Sequence, residues 1–330
     1  MHVYVVGAGS VGTFLGELLR ATGATIGFAP RALEEVVPVS ADLAIVAVKA
    51  YDTPAAIETL RRALGADPSA TILVPQNGVG NEEILAAAFG ADRIVSCALT
   101  VPVERDTHGV VLAAKRGGIA LAPVGTISQN WLVAALERTP IPVKVTSDYR
   151  ALKWSKLALN IVANASCAIL DVLPARLVAY DDIFALEIRA IRETRAVMAA
   201  LGVGAIDLPR YPVRALFAAA SLPLPLARLA LAGRIAGARG NKPPSLLLDV
   251  RAGRGRTEND VLGGAVVAAG ARLGIATPVN AAYARVLAEV VASPESRAAY
   301  REKPEALAAA VAVQESGRAS ETNRAGGVER

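Results

Sequence analysis

Short apolar runs alternate with stretches of helical period through the first half of this chain. His2 to Val6 is apolar and leads into Gly7-Ala-Gly9-Ser-Val-Gly12, then a helical pattern from Thr13 to Ala21. Thr25 to Ala29, Leu43 to Val48, Ala70 to Val74 and Arg93 to Leu99 read as further strands. Helices over Ala55 to Leu64 and through Ile84 to Phe89 separate the later ones. Strands alternating with helices predict a parallel sheet covered on both faces. Val110 to Ala114 and Gly118 to Ala122, joined by Lys115-Arg-Gly, predict a hairpin closing that domain. A helix over Trp131 to Glu137 and a strand over Val143 to Thr146 follow.

From Ser147 the pattern changes. Almost everything up to Ala310 has helical period, broken at Pro174, Gly202, Pro209, Pro223 to Pro225, Gly237 to Pro244 and Pro278. The predicted fold class is α/β: an N-terminal Rossmann-type parallel-sheet domain (1–146) followed by an all-helical domain (147–310). Residues 311–330, polar and rich in Gly, Ser, Glu and Arg from Gln314 onward, read as a disordered tail. A length of 330 residues agrees with about two domains.

Composition narrows the function classes. Hydrophobic residues make up 53% of the chain, enough for sizeable cores, with aromatics at only 4%. The net charge of +5 is mildly basic, but the densest arginines (Arg251, Arg254, Arg256) have no aromatic neighbour. That argues against nucleic acid and suits an anionic cofactor or substrate. The longest uncharged stretches, near 157–170 and 215–227, fall short of the ~20 apolar residues a membrane helix needs. No basic leader precedes the first strand. Cys97 and Cys167 are the only cysteines and read as core thiols in a reducing compartment. Only His2 and His108 are present, so neither a histidine metal site nor a Ser-His-Asp triad is expected. The expectation is a cytoplasmic protein with no metal, no membrane partner and no nucleic-acid partner. A homodimer is compatible with the chain.

The glycine pattern stands where a dinucleotide site requires it, after a strand and opening a helix. Gly7 suits the tight turn, Gly9 the close approach of a pyrophosphate, and Gly12 the packing of helix on strand. Ala8, Ser10 and Val11 complete the loop, and the helix N-terminus would face phosphates with free amides. A purely structural glycine turn is the alternative. After the second strand comes Phe28-Ala-Pro-Arg31, where an NAD site would usually carry an acid. Arg31 could pair with a 2′-phosphate, which favours NADP(H) over NAD; Glu34 or Glu35 could supply the acid if the strand ends later. Lys49 and Asn77 follow the third and fourth strands, on the rim where ligands bind in open sheets. A solvated strand end and a turn amide are their bland readings.

In Lys156-Leu-Ala-Leu-Asn160-Ile-Val-Ala-Asn164, three polar residues four apart would share one face of an otherwise apolar helix. Such a stripe must meet something polar, whether a neighbouring helix or a small polar substrate. Ser245 follows Pro243-Pro244 and could be a helix N-cap or a ligand contact. Asp249 reads as a solvated helix residue, with a support for the site as the alternative.

Together these residues resemble the ketopantoate reductases (2-dehydropantoate 2-reductases), within the 6-phosphogluconate-dehydrogenase-like group. The resemblance spans roughly residues 1–31 and 41–295. It is carried by the glycine loop, Val48-Lys-Ala-Tyr-Asp, Gln76-Asn-Gly-Val-Gly and the Lys156 to Asn164 stretch. Ser245-Leu-Leu-Leu-Asp249, Arg256-Thr-Glu258 and Leu273-Gly-Ile-Ala-Thr-Pro-Val-Asn280 add to it. The resemblance implies Lys156 as general acid, with Glu258 near it and the nicotinamide ribose. It implies Asn160, Asn164 and Ser245 as binders of a 2-oxo acid, and Arg31, Lys49 and Asn77 as NADPH contacts. The chemistry agrees: reducing a ketone by hydride creates an alkoxide that needs a proton donor, and without a well-placed histidine a lysine is the natural one.

The chain departs from the family pattern in three places. The segment between Arg31 and Leu43 is short, without a further strand and hairpin. The loop from Asp249 to Glu258 carries one extra residue and three arginines. Leu173-Pro-Ala stands where an Asn is often found.

Overall fold

A computed structural model describes residues 1–65, 69–105, 111–113, 117–237 and 242–325. It divides into two compact units: Met1–Leu157 with Ala205–Val213, and Ala158–Gly204 with Arg214–Arg330.

In the first unit the strands are β1 (His2–Val6), β2 (Thr25–Phe28), β3 (Leu43–Val46), β4 (Thr71–Val74), β5 (Ile94–Leu99), β6 (Val103–Arg105), β7 (Val111–Ala113), β8 (Ile119–Pro123) and β9 (Val143–Val145). Its helices are α1 (Ser10–Arg20), α2 (Thr53–Leu64), α3 (Asn81–Phe89), α4 (Asn130–Glu137) and most of α5 (Tyr149–Ile161). Seven strands form one sheet in the order β2-β1-β3-β4-β5-β8-β9. The first five run parallel. β3, β4 and β5 are buried along their whole length, as expected of strands covered on both faces. Alternate residues feed opposite cores. Val5, Ile45 and Leu73 pack with Leu15 and Leu19 of α1 and Leu132 of α4; Val6, Val46 and Val74 pack with Leu60 of α2 and Leu85 of α3. β2 forms the edge where the short Arg31–Leu43 segment leaves no further strand, and every second residue of it is exposed.

The expected hairpin does not form. β7 pairs antiparallel with β6, while β8 enters the main sheet, antiparallel to β5 and parallel to β9. Four consecutive residues of β8 are buried, so it belongs in a sheet interior rather than in a peripheral ribbon. Residues 114–116 of the expected turn lie outside the described residues.

The second unit is helical: α6 (Ala165–Leu170), α7 (Pro174–Leu177), α8 (Asp181–Ala200), α9 (Val213–Ala220), α10 (Leu224–Gly237), α11 (Ser245–Arg251), α12 (Gly263–Leu273), α13 (Pro278–Ala292), α14 (Pro294–Tyr300) and α15 (Pro304–Ala325). α13 packs on α6, α8, α12 and α15. Phe184, Ile188 and Ile191 of α8 are buried.

Two boundaries differ from the sequence reading. The units divide after Leu157 rather than at 146, and Ala205–Val213 returns to the first unit. Hydrogen bonds hold that return: Ser155 Oγ accepts from Ile206 N at 2.9 Å, Thr100 Oγ1 donates to the Pro209 carbonyl at 3.1 Å, and Lys144 Nζ donates to the Asp207 carbonyl. At the other end α15 is helical to Ala325, where a disordered tail from 311 was expected. Leu307 and Val311, one turn apart, are buried, and Glu315 pairs with Arg189 of α8. Composition misses this because the apolar anchors lie just before the polar stretch.

Among the described residues no helix is long and apolar enough to cross a membrane. Among them no group of three or more His, Cys, Asp or Glu side chains could hold a metal ion. His108 lies outside them.

Candidate active site

The glycine loop joins β1 to α1. Gly7 has φ of +104°, and a Cβ there would sit 2.7 Å from the Ala47 carbonyl carbon. The turn therefore needs glycine twice over, for its conformation and for its approach to the neighbouring strand end. A Cβ on Gly12 would lie 2.0 Å from the Gly7 carbonyl oxygen, which welds helix to loop. Gly9 is different: nothing lies within 4 Å of where its side chain would begin. Ala8 and Gly9 are exposed, and Ser10 and Val11 half-buried. The first turn of α1 carries no acidic residue of its own, so the helix itself places no carboxylate against its positive end. This is a cradle with room for an anionic group at Gly9 and rigid backing at Gly7 and Gly12. It fits the pyrophosphate of a dinucleotide.

Lys49 follows β3 and Asn77 follows β4, both half-buried. The Asn77 carbonyl accepts from Asn81 Nδ2 at 3.1 Å at the start of α3. Arg31 lies just past β2 and is exposed, as are Glu34 and Glu35. The short segment behind them is braced from α2, where Arg62 donates to the carbonyls of Val36 at 2.9 Å and Glu34 at 3.2 Å.

Lys156 is half-buried on α5. Its charge reaches the buried Cys97 on β5. Burial pushes that thiol up to about 12, against the opposing pull of Lys153 and Lys156. Cys97 is thus an inert core thiol, and Cys167 is likewise buried and in no disulfide among the described residues.

The polar stripe is interrupted. Lys156 and Asn160 are one turn apart on α5, but that helix ends at Ile161. Ala163 takes a left-handed conformation, φ 49°, and Asn164 becomes the N-cap residue of α6. The cause is Glu187 on α8, whose Oε2 accepts the Ala163 N–H at 2.6 Å. Asn164 therefore does not continue the face of α5. Its Oδ1 accepts the Leu246 N–H at 3.1 Å and its Nδ2 reaches Ser245 Oγ at 3.5 Å. Asn164 caps α11 from outside, so Ser245, the first residue of that helix, is not itself the cap. Asn164 and Ser245 are thereby brought together in the second unit.

Asn160 lines a small pocket with Leu246, Asn259, Leu262, Asn280 and Tyr283. Glu258 is 6% exposed, opening a short 3-10 turn after Thr257. Asp249, expected to be solvated, is 5% exposed and pairs with Arg254 at 3.1 Å. The arginine-rich loop thus folds back on the end of α11.

Sequence reasoning missed three acids drawn into the fold, Glu82 and Glu187 buried and Glu193 half-buried. Glu82 on α3 pairs with Lys153 on α5 at 3.0 Å, both almost fully buried. Glu193 caps α13, accepting from the backbone N–H groups of Val279 at 2.9 Å and Asn280 at 3.0 Å. Glu187 holds Ala163 and forms a buried polar cluster with the hydroxyls of Ser166 and Tyr283. One signal was present: Lys153, Lys156 and Asn160 fall on one face of α5 in an otherwise apolar run.

Burial pushes the Glu187 carboxyl above its ordinary range. A carboxyl raised in the fold contributes its full stability below the unfolded pKa and loses it as pH rises through the folded value. Glu187→Gln retains an acceptor for Ala163 but cannot ionise. It is expected to match the wild type in thermal unfolding below about pH 4 and to gain on it progressively towards neutral pH. Parallel curves across that range would contradict the assignment.

The chain matches the family described as ketopantoate reductase PanE/ApbA over residues 29–125. It matches that family's C-terminal domain over residues 148–291. It is 32% identical over 259 residues to the 2-dehydropantoate 2-reductase of Caulobacter vibrioides, spanning 77% of this chain and 78% of that one. The protein of the same name from Pyrobaculum aerophilum is 30% identical over 238 residues, spanning 72% and 73%. Among solved structures, a PanE/ApbA family ketopantoate reductase from Ralstonia eutropha superposes with a TM-score of 0.72 at 26% identity, over 88% of this chain and 98% of that one.

Proposed function

This chain belongs to the ketopantoate reductase family, and on that premise we propose that it reduces a small 2-oxo acid to the 2-hydroxy acid with NADPH, ketopantoate to pantoate being the best single assignment. As a member of that family it is an oxidoreductase acting on a CH–OH group. The observation that carries the proposal furthest is the glycine cradle, open at Gly9 and closed at Gly7 and Gly12, with Lys49 and Asn77 half-buried at the ends of the next two strands.

When bound, the cofactor supplies a hydride to the carbonyl carbon of the substrate. The carbonyl oxygen then becomes an alkoxide, and Lys156 delivers a proton to it from Nζ, regaining one from solvent afterwards. Asn160 and Ser245 donate hydrogen bonds to the substrate carboxylate, holding an anion without adding formal charge. Asn164 spends its carboxamide on the α11 N-terminus and Ser245. Its part is therefore to set Ser245, with substrate contact left to the remaining capacity of its amide. The family resemblance assigns Glu258 to the nicotinamide ribose. Lys49, Asn77 and the α1 amides hold the cofactor phosphates and ribose.

The preference for NADPH rests on Arg31. Its guanidinium is exposed beyond the edge strand β2, where a 2′-phosphate could be gripped from solvent. Arg31→Ala is expected to raise the Michaelis constant for NADPH by about 10-fold, one charge-assisted contact, and to leave that for NADH nearly unchanged. Equal effects on both would overturn the preference.

A second reading, reduction of a different 2-oxo acid, is favoured by Pro174. It opens α7 directly after Leu173, where the family pattern often has an Asn. A panel of 2-oxo acids, followed by loss of NADPH absorbance, separates the two. Cofactor binding with no turnover of any of them would point instead to a dinucleotide sensor.

A further inference from the structure

Among the described residues of the first unit, Lys153 is the most deeply buried cation. It is 2% exposed, and its partner Glu82 is 1% exposed. Burying such a pair costs desolvation that its mutual attraction rarely repays, and apolar residues of similar volume often serve stability as well. The pair therefore calls for a use beyond holding the fold.

Its hydrogen bonds indicate one. Lys153 Nζ lies 3.0 Å from Glu82 Oε1 and donates to the Gln76 carbonyl. Ser96 Oγ on β5 donates to the same Glu82 oxygen at 2.8 Å. Gln76 is a junction. Its Nε2 donates to the Val48 carbonyl at 3.1 Å and to Thr53 Oγ1 at 2.9 Å. Thr53 Oγ1 in turn reaches Asn81 Oδ1 at 3.3 Å, and Asn81 holds the Asn77 carbonyl. The residues next to these anchored carbonyls are Lys49, after Val48, and Asn77, after Gln76. One buried network thus spans both rim residues. It ends on α5 at Lys153, three residues before Lys156.

We propose that Lys153, neutralised by Glu82, is a positioning residue that fixes the Lys49 and Asn77 rim against the helix bearing Lys156. The inference rests on the reading of that rim as the NADPH site. The two residues have separable tasks. Lys153 holds the Gln76 carbonyl, and Glu82 makes its buried charge tolerable.

Three variants test this, each assayed by NADPH titration, steady-state kinetics and thermal unfolding: Lys153→Met, Glu82→Gln and the double variant. Lys153→Met is expected to lower the melting temperature and weaken NADPH binding about 10-fold, as for loss of a charged hydrogen bond. Glu82→Gln is expected to lower the melting temperature while leaving NADPH affinity near wild type. The double variant leaves no buried unpaired charge, so it is expected to recover much of the lost stability. Its NADPH affinity is expected to stay about 10-fold weak, with turnover at saturation within a few-fold of wild type. A double variant with wild-type affinity would overturn the inference, as would equal affinity losses in the two single variants. Wild-type protein that binds no NADPH would instead overturn the reading of the rim, and this inference with it.

Discussion

Replacing Lys156 with alanine is expected to lower turnover at least ~100-fold, the lower range for general acid catalysis, at saturating NADPH and substrate. The chemistry requires a proton at the moment an alkoxide forms, and water cannot supply it as readily as a positioned ammonium. Few other donors compete for the role. Of the two histidines, His2 is exposed at the start of β1, and Lys153 is committed to Glu82 and the Gln76 carbonyl. Lys156 is half-buried on α5, one turn before Asn160. The alanine variant is expected to bind NADPH nearly as well as the wild type, because the loss falls on the proton and not on the cradle. Near-normal turnover would remove Lys156 from the mechanism.

The second large effect separates two glycines that a motif treats alike. Gly12→Ala would thrust a methyl group to 2.0 Å from the Gly7 carbonyl oxygen. Both atoms belong to the backbone junction of β1 and α1, so no side-chain rotation relieves the clash. The expected cost is about 4–5 kcal/mol, the severe end for single substitutions, visible as a collapse of the melting temperature. Gly9→Ala meets nothing within 4 Å, so its stability should stay within about 0.5 kcal/mol of wild type. Its methyl group instead occupies the approach proposed for the pyrophosphate, and NADPH affinity is expected to fall about 10-fold or more. A Gly9→Ala protein that is stable and binds NADPH normally would return the loop to a purely structural turn.

The contrast between these glycines shows where the sequence was legible. The order of strands and helices through β5 could be read directly, because β3, β4 and β5 are buried end to end and their apolar runs are continuous. The glycine turn was legible for the same local reason. What failed depended on distant partners. β8 was expected to pair with its sequence neighbour and instead lies beside β5, a choice made by the open edge of a hydrophobic sheet. The break after Ile161 was hidden because the carboxylate that stabilises the left-handed Ala163 comes from Glu187 on α8. Without that contact an unbroken helical stripe through Asn164 was the simplest reading. The Lys153–Glu82 pair was invisible for a related reason. Two charges on separate amphipathic helices look solvated until the fold buries both. Likewise Arg254, one of the three arginines of its loop, pairs with a buried Asp249.

These hidden contacts also sharpen the site. Asn164 and Ser245 are joined by the α11 N-terminus, so substitutions at either are expected to affect the other. Gln76, which precedes Asn77, donates to the carbonyl of Val48, which precedes Lys49.

The central claim is that this protein uses NADPH to reduce a 2-oxo acid. The most direct measurement is the initial rate of NADPH oxidation by the purified wild-type protein with ketopantoate, set beside other 2-oxo acids and beside Lys156→Ala. The expected result is rapid oxidation with at least one 2-oxo acid, fastest with ketopantoate, and near-abolition by Lys156→Ala. No oxidation with any 2-oxo acid, or a rate indifferent to the loss of Lys156, would contradict it.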